Sequence, residues 1–295
     1  MMKKSLLPIF ILISLVAVSC KTTRVETDPF ATYINRYQQI TLHNSLAIDP
    51  FNVSYRLNMY LNNGKSEELR LALFRDAEIT TYDNKIYHIV YPGQSGRPLD
   101  DQLRAGKVII HTGGVSLSEA GAIWQVSVDS IDPYYIDMGD EGVVDLKMEL
   151  GDYVIETTQE KTWNVQANDL YYGKLYPSQT AVWNINMTVK QTQGSPNDIQ
   201  IANHRFEVEA NTPGLNGGLA FSVERYRYEI LSPLLYMASC GFLNKSGGEE
   251  RIILMDNYGF DGKDTMEVNM GAQYVCFPAY TISARIDSIW TTQYY

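Results

Sequence analysis

The strongest constraint in this sequence is alternation. In run after run, apolar side chains occupy every second position and polar ones fill the gaps, the pattern of a strand with one dry face and one wet face. "VDLKMEL" sets Val144, Leu146, Met148 and Leu150 against Asp145, Lys147 and Glu149. "WNINMTV" sets Trp183, Ile185, Met187 and Val189 against Asn184, Asn186 and Thr188. "WQVSV" from Trp124 and "YTISARI" from Tyr280 repeat it. "NVSYRLNMYL" reads the same way, with Val53, Tyr55, Leu57, Met59 and Leu61 opposite Asn52, Ser54, Arg56 and Asn58, and is expected to be a strand. Tyrosine, with 21 residues, reinforces the bias toward strands.

Turn chemistry punctuates these runs. Asn63-Gly64, Asp83-Asn84, Gly151-Asp152 and Asp261-Gly262 are hairpin-type pairs. "TPGLNGG" (Thr212 to Gly218) and "KSGGE" (Lys245 to Glu249) read as longer loops. A parity shift between Phe221/Val223 and Tyr226/Tyr228 predicts a β-bulge near Glu224-Arg225. Helix is scarce: a turn or two over Leu99 to Gly106, a start within Ala31 to Ile48, and Ser66 to Phe74, where helix and strand spacing compete. Short strands, tight turns and no βαβ alternation predict an all-β fold of antiparallel, Ig-like sandwiches.

An internal echo bears on domain number. "SVDSIDPYY" (Ser127 to Tyr135) resembles "ARIDSIWTTQYY" (Ala284 to Tyr295), and fainter matches upstream keep an offset of about 155 residues. Two tandem β-sandwiches from a duplication, residues 31–135 and 143–295, would produce this; so would chance similarity between β-rich strings.

The N-terminus carries a different signal. Met1-Met2-Lys3-Lys4 precedes "LLPIFILISLVAV", Leu6 to Val18, whose 13 residues fall short of the roughly 20 needed to span a bilayer core as helix. Length and flanks fit a secretory signal peptide over residues 1–19. The "AVSC" that closes it, Ala17 to Cys20, resembles the lipobox of bacterial lipoproteins, although Ala17 stands where Leu is commonest. That resemblance implies cleavage before Cys20, acylation of its sulfur, and a tether over residues 20–30. Each buried CH₂ contributes roughly 0.8 kcal/mol, so two or three acyl chains anchor a protein without a spanning helix. The signal and the tyrosine-rich β composition together resemble the lipoproteins of Bacteroidetes bacteria, which implies an outer-membrane location. "KTTR" after Cys20 leaves the periplasmic and outer faces both open.

Three cysteines are an odd count for an exported chain. With Cys20 lipidated, Cys240 and Cys276 remain, either bridged or as buried thiols. A bridge of that span would stabilise by roughly 3–4 kcal/mol on the chain-entropy model.

Charge narrows the partners. Removing residues 1–19 takes away Lys3 and Lys4 and no acids, leaving 22 basic against 34 acidic residues. So acidic a chain gains nothing from phosphate backbones, and nucleic acid is not an expected partner. No catalytic or cofactor motif appears: no G-x-S-x-G, no P-loop, no dinucleotide fingerprint. His43, His88, His111 and His204 show no metal-ligand spacing, so no metal is expected. Two acidic clusters, Asp137 to Gly142 and Asp256 to Asp264, could supply the carboxylate pair of a glycoside hydrolase, or be solvated turns. The remaining candidates are tyrosines beside turns: Tyr134, Tyr135, Tyr171, Tyr172, Tyr226 and Tyr228. Neighbours in a strand face opposite ways, so each doublet should expose one ring to a glycan or a protein partner. The expectation is a non-enzymatic binding or adhesion protein. The alternatives are a structural subunit of a surface complex, fimbrillin-like or a transport accessory, and a glycan hydrolase.

Overall fold

A computed structural model describes residues 29–92, 103–136, 146–174, 180–195, 198, 200–210, 216–219, 225–238, 245–254, 265–276, 279–286 and 289–294. Met1–Tyr37 and Gln38–Tyr295 form separate compact units. The first contributes only the start of one helix to the described residues; the remainder of that helix and every strand belong to the second.

Strands dominate, as expected. Among the described residues fifteen strands make one antiparallel sheet: β1 (Glu78–Tyr82), β2 (Ile86–Tyr91), β3 (Arg104–His111), β4 (Ile123–Val128), β5 (Tyr134–Ile136), β6 (Leu146–Gln159), β7 (Thr162–Lys174), β8 (Thr180–Gln193), β9 (Arg205–Ala210), β10 (Asn216–Leu219), β11 (Arg225–Met237), β12 (Lys245–Leu254), β13 (Thr265–Asn269), β14 (Thr281–Ile286) and β15 (Ile289–Tyr294). The path runs β1-β2-β3-β4-β6-β7-β8-β10-β11-β12-β13-β14-β15, with β5 paired to β3 and β6, and β9 to β8 and β11. The division into two sandwiches does not emerge from this pairing. β4 and β5, before residue 137, both bond to β6, after residue 145, so strands on either side of the expected boundary share one ladder.

The largest departure is α1, Pro29–Asn62, a helix of 34 residues. It contains "NVSYRLNMYL", which reads as a strand by its alternation. The reason is geometric. On a helix, residues two apart lie about 200° around the axis, so alternation scatters apolar side chains over the whole circumference. A helix apolar all round must be buried all round, and every residue from Leu46 to Met59 is buried. The sheet surrounds it. Arg104 of β3 and Tyr134 of β5 meet Asp49. Trp163 of β7 and Phe206 of β9 meet Tyr55. Ile185, Val208 and Tyr228 of β8, β9 and β11 line a cavity with Ala47 and Ile48.

The alternating polar residues find partners inside. Asn52 Nδ2 donates to Asp49 Oδ1 at 2.9 Å, and Arg56 Nε to Asn52 Oδ1 at 3.1 Å. Arg56 Nη1 reaches the Leu73 carbonyl at 3.0 Å. Asn58 accepts from the Leu117 N–H and donates to Ser118 Oγ, both at 2.9 Å. Pro50 cannot donate to the Leu46 carbonyl, a local penalty of about 3 kcal/mol that packing overrides. Asn63-Gly64 ends this helix rather than making a hairpin: Gly64 has φ +89°, and the Asn63 side chain donates to the Met59 carbonyl at 2.8 Å.

A second helix, α2 (Glu67–Phe74), settles the ambiguous stretch. Ser66 caps it by accepting from the Leu69 N–H, and Glu67 and Glu68 complement its N-terminal dipole. Leu69, Leu73 and Phe74 are buried while Leu71 is 44 % exposed, which is helical spacing and not alternation.

Of the predicted turns, Asp83-Asn84 closes the β1–β2 hairpin with φ of 54° and 53°, the type I′ geometry. Gly151-Asp152 instead lies inside β6, at a register shift, where a Cβ on Gly151 would stand 2.8 Å from Leu170 Cδ2. "KSGGE" is not a loop but the start of β12, its glycines admitting close backbone approach: a Cβ on Gly248 would stand 2.6 Å from the Pro233 carbonyl. Asn216 to Gly218, read as loop, belong to β10, and Arg104 to Gly106, read as helix, to β3. Asp261-Gly262 and Glu224 lie outside the described residues; β11 carries its register shifts further on, from Ile230 to Tyr236.

Candidate functional site

Two of the six candidate tyrosines point inward. Tyr134 is fully buried, and its hydroxyl donates to Asp49 Oδ2 at 2.5 Å. Burial first, and the Asp49 charge second, hold its pKa well above the ordinary phenol value. Tyr228 is also fully buried, and its hydroxyl donates to the Glu250 carboxylate. Lys245 Nζ donates to the same carboxylate at 2.8 and 2.6 Å. Burial pushes the Lys245 ammonium down to about 7, and Glu250 supplies its counter-charge. Tyr171 is 41 % exposed, opposite the exposed Leu150. Tyr135 is half-buried beside Lys147. The side chains of Tyr172 and Tyr226 lie outside the described residues, as do Cys20, Cys240 and both acidic clusters. Cys276 is disulfide-bonded. The four candidate tyrosines whose side chains are described therefore do not converge on one site.

What does converge is the outward face of β1 to β8. The inward face of the sheet packs on the later part of α1, with Trp163 against Tyr55, and Trp124, Trp163 and Trp183 are all buried. The opposite face is defined by the strand registers. Tyr82 pairs Ile86, Ile86 pairs His111, His111 pairs Gln125, Gln125 pairs Val154, Val154 pairs Gln166 and Gln166 pairs Asn186. These seven residues form one row across seven strands. It holds two amides of glutamine, one of asparagine, an imidazole and a phenol ring, and no residue with a fixed charge. Tyr82 is 54 % exposed and Val154 42 %, and His111, Gln125 and Gln166 are also exposed.

The row deepens at one end. Lys85, Ile86, His111, Gly113, Ile123 and Gln125 line an open groove of about 350 Å³. Its wall is fixed by the loop after β3. The Thr112 N–H and hydroxyl both donate to the Lys85 carbonyl, at 2.7 and 3.1 Å, and the Gly114 N–H donates to the Thr112 hydroxyl at 3.1 Å. Gly113 and Gly114, at φ +64° and +82°, let that loop turn. Beside the groove the Tyr82 and His88 rings pack with centroids 4.8 Å apart. Partial burial, then the Lys107 charge and His111, lower the His88 pKa, so this imidazole is neutral near pH 7. Lys107 is itself paired with Asp132 at 3.0 Å and Asp129 at 3.6 Å.

None of these side chains stands out singly in the sequence. Gln125 and Asn186 occupy the wet positions of "WQVSV" and "WNINMTV", but only strand order brings them into one row with Tyr82. Chemically the surface offers both donors and acceptors over an apolar floor of Ile86 and Ile123. Among the described residues no group of three His, Cys, Asp or Glu side chains could hold a metal ion. Comparison with protein-family models, curated proteins and solved structures found no match for this chain.

Proposed function

We propose that this chain is an envelope lipoprotein, anchored through acyl groups on Cys20, that binds a glycan or protein partner without turning it over. The "AVSC" junction supports the anchor. The observation that carries the binding role is the division of the sheet into two faces. Its inward side packs on the protein's own helix, and a cavity there, lined by Asn44 and Tyr228 among others, holds about 10 Å³, room for one water. Its outward side carries an uncharged, hydrogen-bonding row open to solvent. Among the described residues, this outer row is the surface that supports the binding reading.

The test has two arms. In cells fed an alkyne-palmitate, wild-type protein takes up label and Cys20→Ala does not. Purified wild type is retained by isolated cell envelopes, and the double variant Gln125→Arg/Gln166→Arg, which places fixed charge in the row, is released. An unlabelled wild type sinks the anchor; equal retention of the double variant sinks the outer face as the binding surface.

A second reading, an assembly subunit, draws on β1. Among the described residues this strand pairs only with β2, and Glu78, Thr80, Thr81 and Tyr82 are exposed along it. It carries no Pro or Lys to block addition of a partner strand.

A further inference from the structure

We propose that the outer-face groove between β2, β3 and β4, continued by the row from Tyr82 to Asn186, is a binding track for a neutral oligosaccharide. This deepens the reading of the outer face as a binding surface and rests on it.

The row crosses the strands, and from β2 to β7 each residue in it is paired on both sides, so the backbone beneath is engaged in the ladder. A peptide adding as a strand has nothing to pair with there; that mode belongs to sheet edges. Side chains alone do the recognising. The amides of Gln125 and Gln166 each present a carbonyl acceptor and two N–H donors, and the His111 imidazole and the Asn186 amide continue the same polar row. A sugar hydroxyl both donates and accepts, so it is the ligand group that can use both halves of the exposed glutamine amides.

Charge points the same way. The groove's only residue of fixed charge is Lys85. Glu156, the register partner of Ile123, stands at its border with the opposite sign. On β6 the exposed Asp152 and Glu156 flank Val154 on this same face, in keeping with the chain's net charge of −10. A strongly anionic ligand meets these like charges, whereas a neutral one meets no electrostatic penalty.

Apolar groups complete the set. A pyranose has a C–H face as well as hydroxyl edges. Ile86 and Ile123 give the groove an apolar floor, and Ile123 is 52 % exposed. Tyr82, directly across from Ile86, adds an exposed ring whose orientation is braced by its contact with His88. Spacing sets the length: six inter-strand steps of roughly 4.8 Å give about 29 Å of track, room for several sugars in line. The groove end supplies the ring contact and the amide end supplies hydrogen bonds.

Isothermal titration of the full-length chain in detergent tests this with unbranched hexasaccharides of glucose, galactose and N-acetylglucosamine, their disaccharides, and a hexamer of galacturonic acid. At least one neutral hexasaccharide should bind, about tenfold tighter than its disaccharide. Tyr82→Ala and Gln125→Ala should each weaken it by about tenfold, the scale of one stacking or hydrogen-bonding contact. Tyr171→Ala, exposed but off the row, should leave it unchanged. Failure of all three neutral hexasaccharides overturns the proposal. So does tighter binding of the galacturonate hexamer, affinity independent of length, or insensitivity to Tyr82→Ala and Gln125→Ala. If envelope retention is still lost in Gln125→Arg/Gln166→Arg while these sugars fail, the outer face binds something else and only the saccharide assignment falls.

Discussion

Asp49 is the residue whose loss should cost this fold most for the fewest atoms changed. Its side chain is fully buried, and it accepts four hydrogen bonds: from Arg104 Nε at 3.0 Å, Arg104 Nη2 at 2.7 Å, Tyr134 at 2.5 Å and Asn52 at 2.9 Å. Arg104 is only 2 % exposed. Asp49→Asn keeps the volume and removes the charge that Arg104 contacts through two nitrogens, and the new N–H₂ group faces donors. Breaking one side of a buried pair in this way costs about 3–5 kcal/mol, a large share of the roughly 5–15 kcal/mol that holds an ordinary domain together. Tyr134→Phe removes a single bond to a charged acceptor and should cost about 1.5–3 kcal/mol. Asp49→Leu/Arg104→Met removes both charges together and should be milder than Asp49→Asn alone. Urea unfolding monitored by tryptophan fluorescence measures all three, with the midpoint falling at constant slope. An Asp49→Asn variant within about 1 kcal/mol of wild type would refute the role of this buried pair. So would an Asp49→Leu/Arg104→Met variant as unstable as Asp49→Asn, or more so.

Two further outcomes are expected. Gly106 has φ +84°, and a Cβ there would stand 1.8 Å from the Pro133 carbonyl oxygen, so Gly106→Ala should lower stability by more than the roughly 1 kcal/mol typical of a tolerated change; a melting temperature equal to wild type would contradict the close approach. His204 is fully buried, with Nδ1 bonded to the Tyr55 hydroxyl at 3.0 Å, and burial lowers its pKa from 6.5. The unfolded chain thus takes up a proton that the folded chain refuses. Its contribution is whole above pH 6.5 and drains away as pH falls toward the folded pKa. Urea midpoints measured from about pH 7.5 to about pH 5 should decline in wild type and decline less in His204→Gln; parallel slopes would mean that His204 is not kept neutral by the fold.

Strands were legible in the sequence wherever one face is wet and the other dry. "WQVSV", "WNINMTV" and "VDLKMEL" all lie in strands, and Trp124 and Trp183 face inward as their alternation requires. The same rule misreads "NVSYRLNMYL", because period two records only which side chains are apolar. It cannot say that Asn52, Arg56 and Asn58 are buried and paired, which depends on Asp49, Leu73 and Leu117 elsewhere in the chain. Glycine was misread for a related reason. "KSGGE" looks like a loop until β11 lies against it; then Gly248 is where the Pro233 carbonyl comes too close for a side chain. The binding row suffered most. Proximity to turns singled out Tyr134 and Tyr228, yet each has a buried acid to donate to, Asp49 and Glu250. Tyr82 stands between plain threonines and a turn, and gains meaning only from the register that places Ile86 and His111 beside it.

The polar residues of α1 explain why a helix can sit where a purely apolar one would not stay put. A greasy cylinder in a greasy sleeve can slide or rotate by one turn with little change in buried area. Here three heights are fixed independently. Asp49 is held by β3 and β5, Tyr55 by His204 with Trp163 and Phe206 packed around it, and Asn58 by the Leu117 N–H. From Asp49 to Asn58 is about 14 Å of helix at roughly 1.5 Å per residue, and a one-turn slip of roughly 5.4 Å would orphan every one of these groups at once. Alternation in this segment is therefore a device for register: the apolar half fills the interior and the polar half admits a single position. With the interior so locked, the strand registers that build the outer row are locked too, and the positions of Tyr82, His111 and Gln125 relative to one another are set by what lies beneath them.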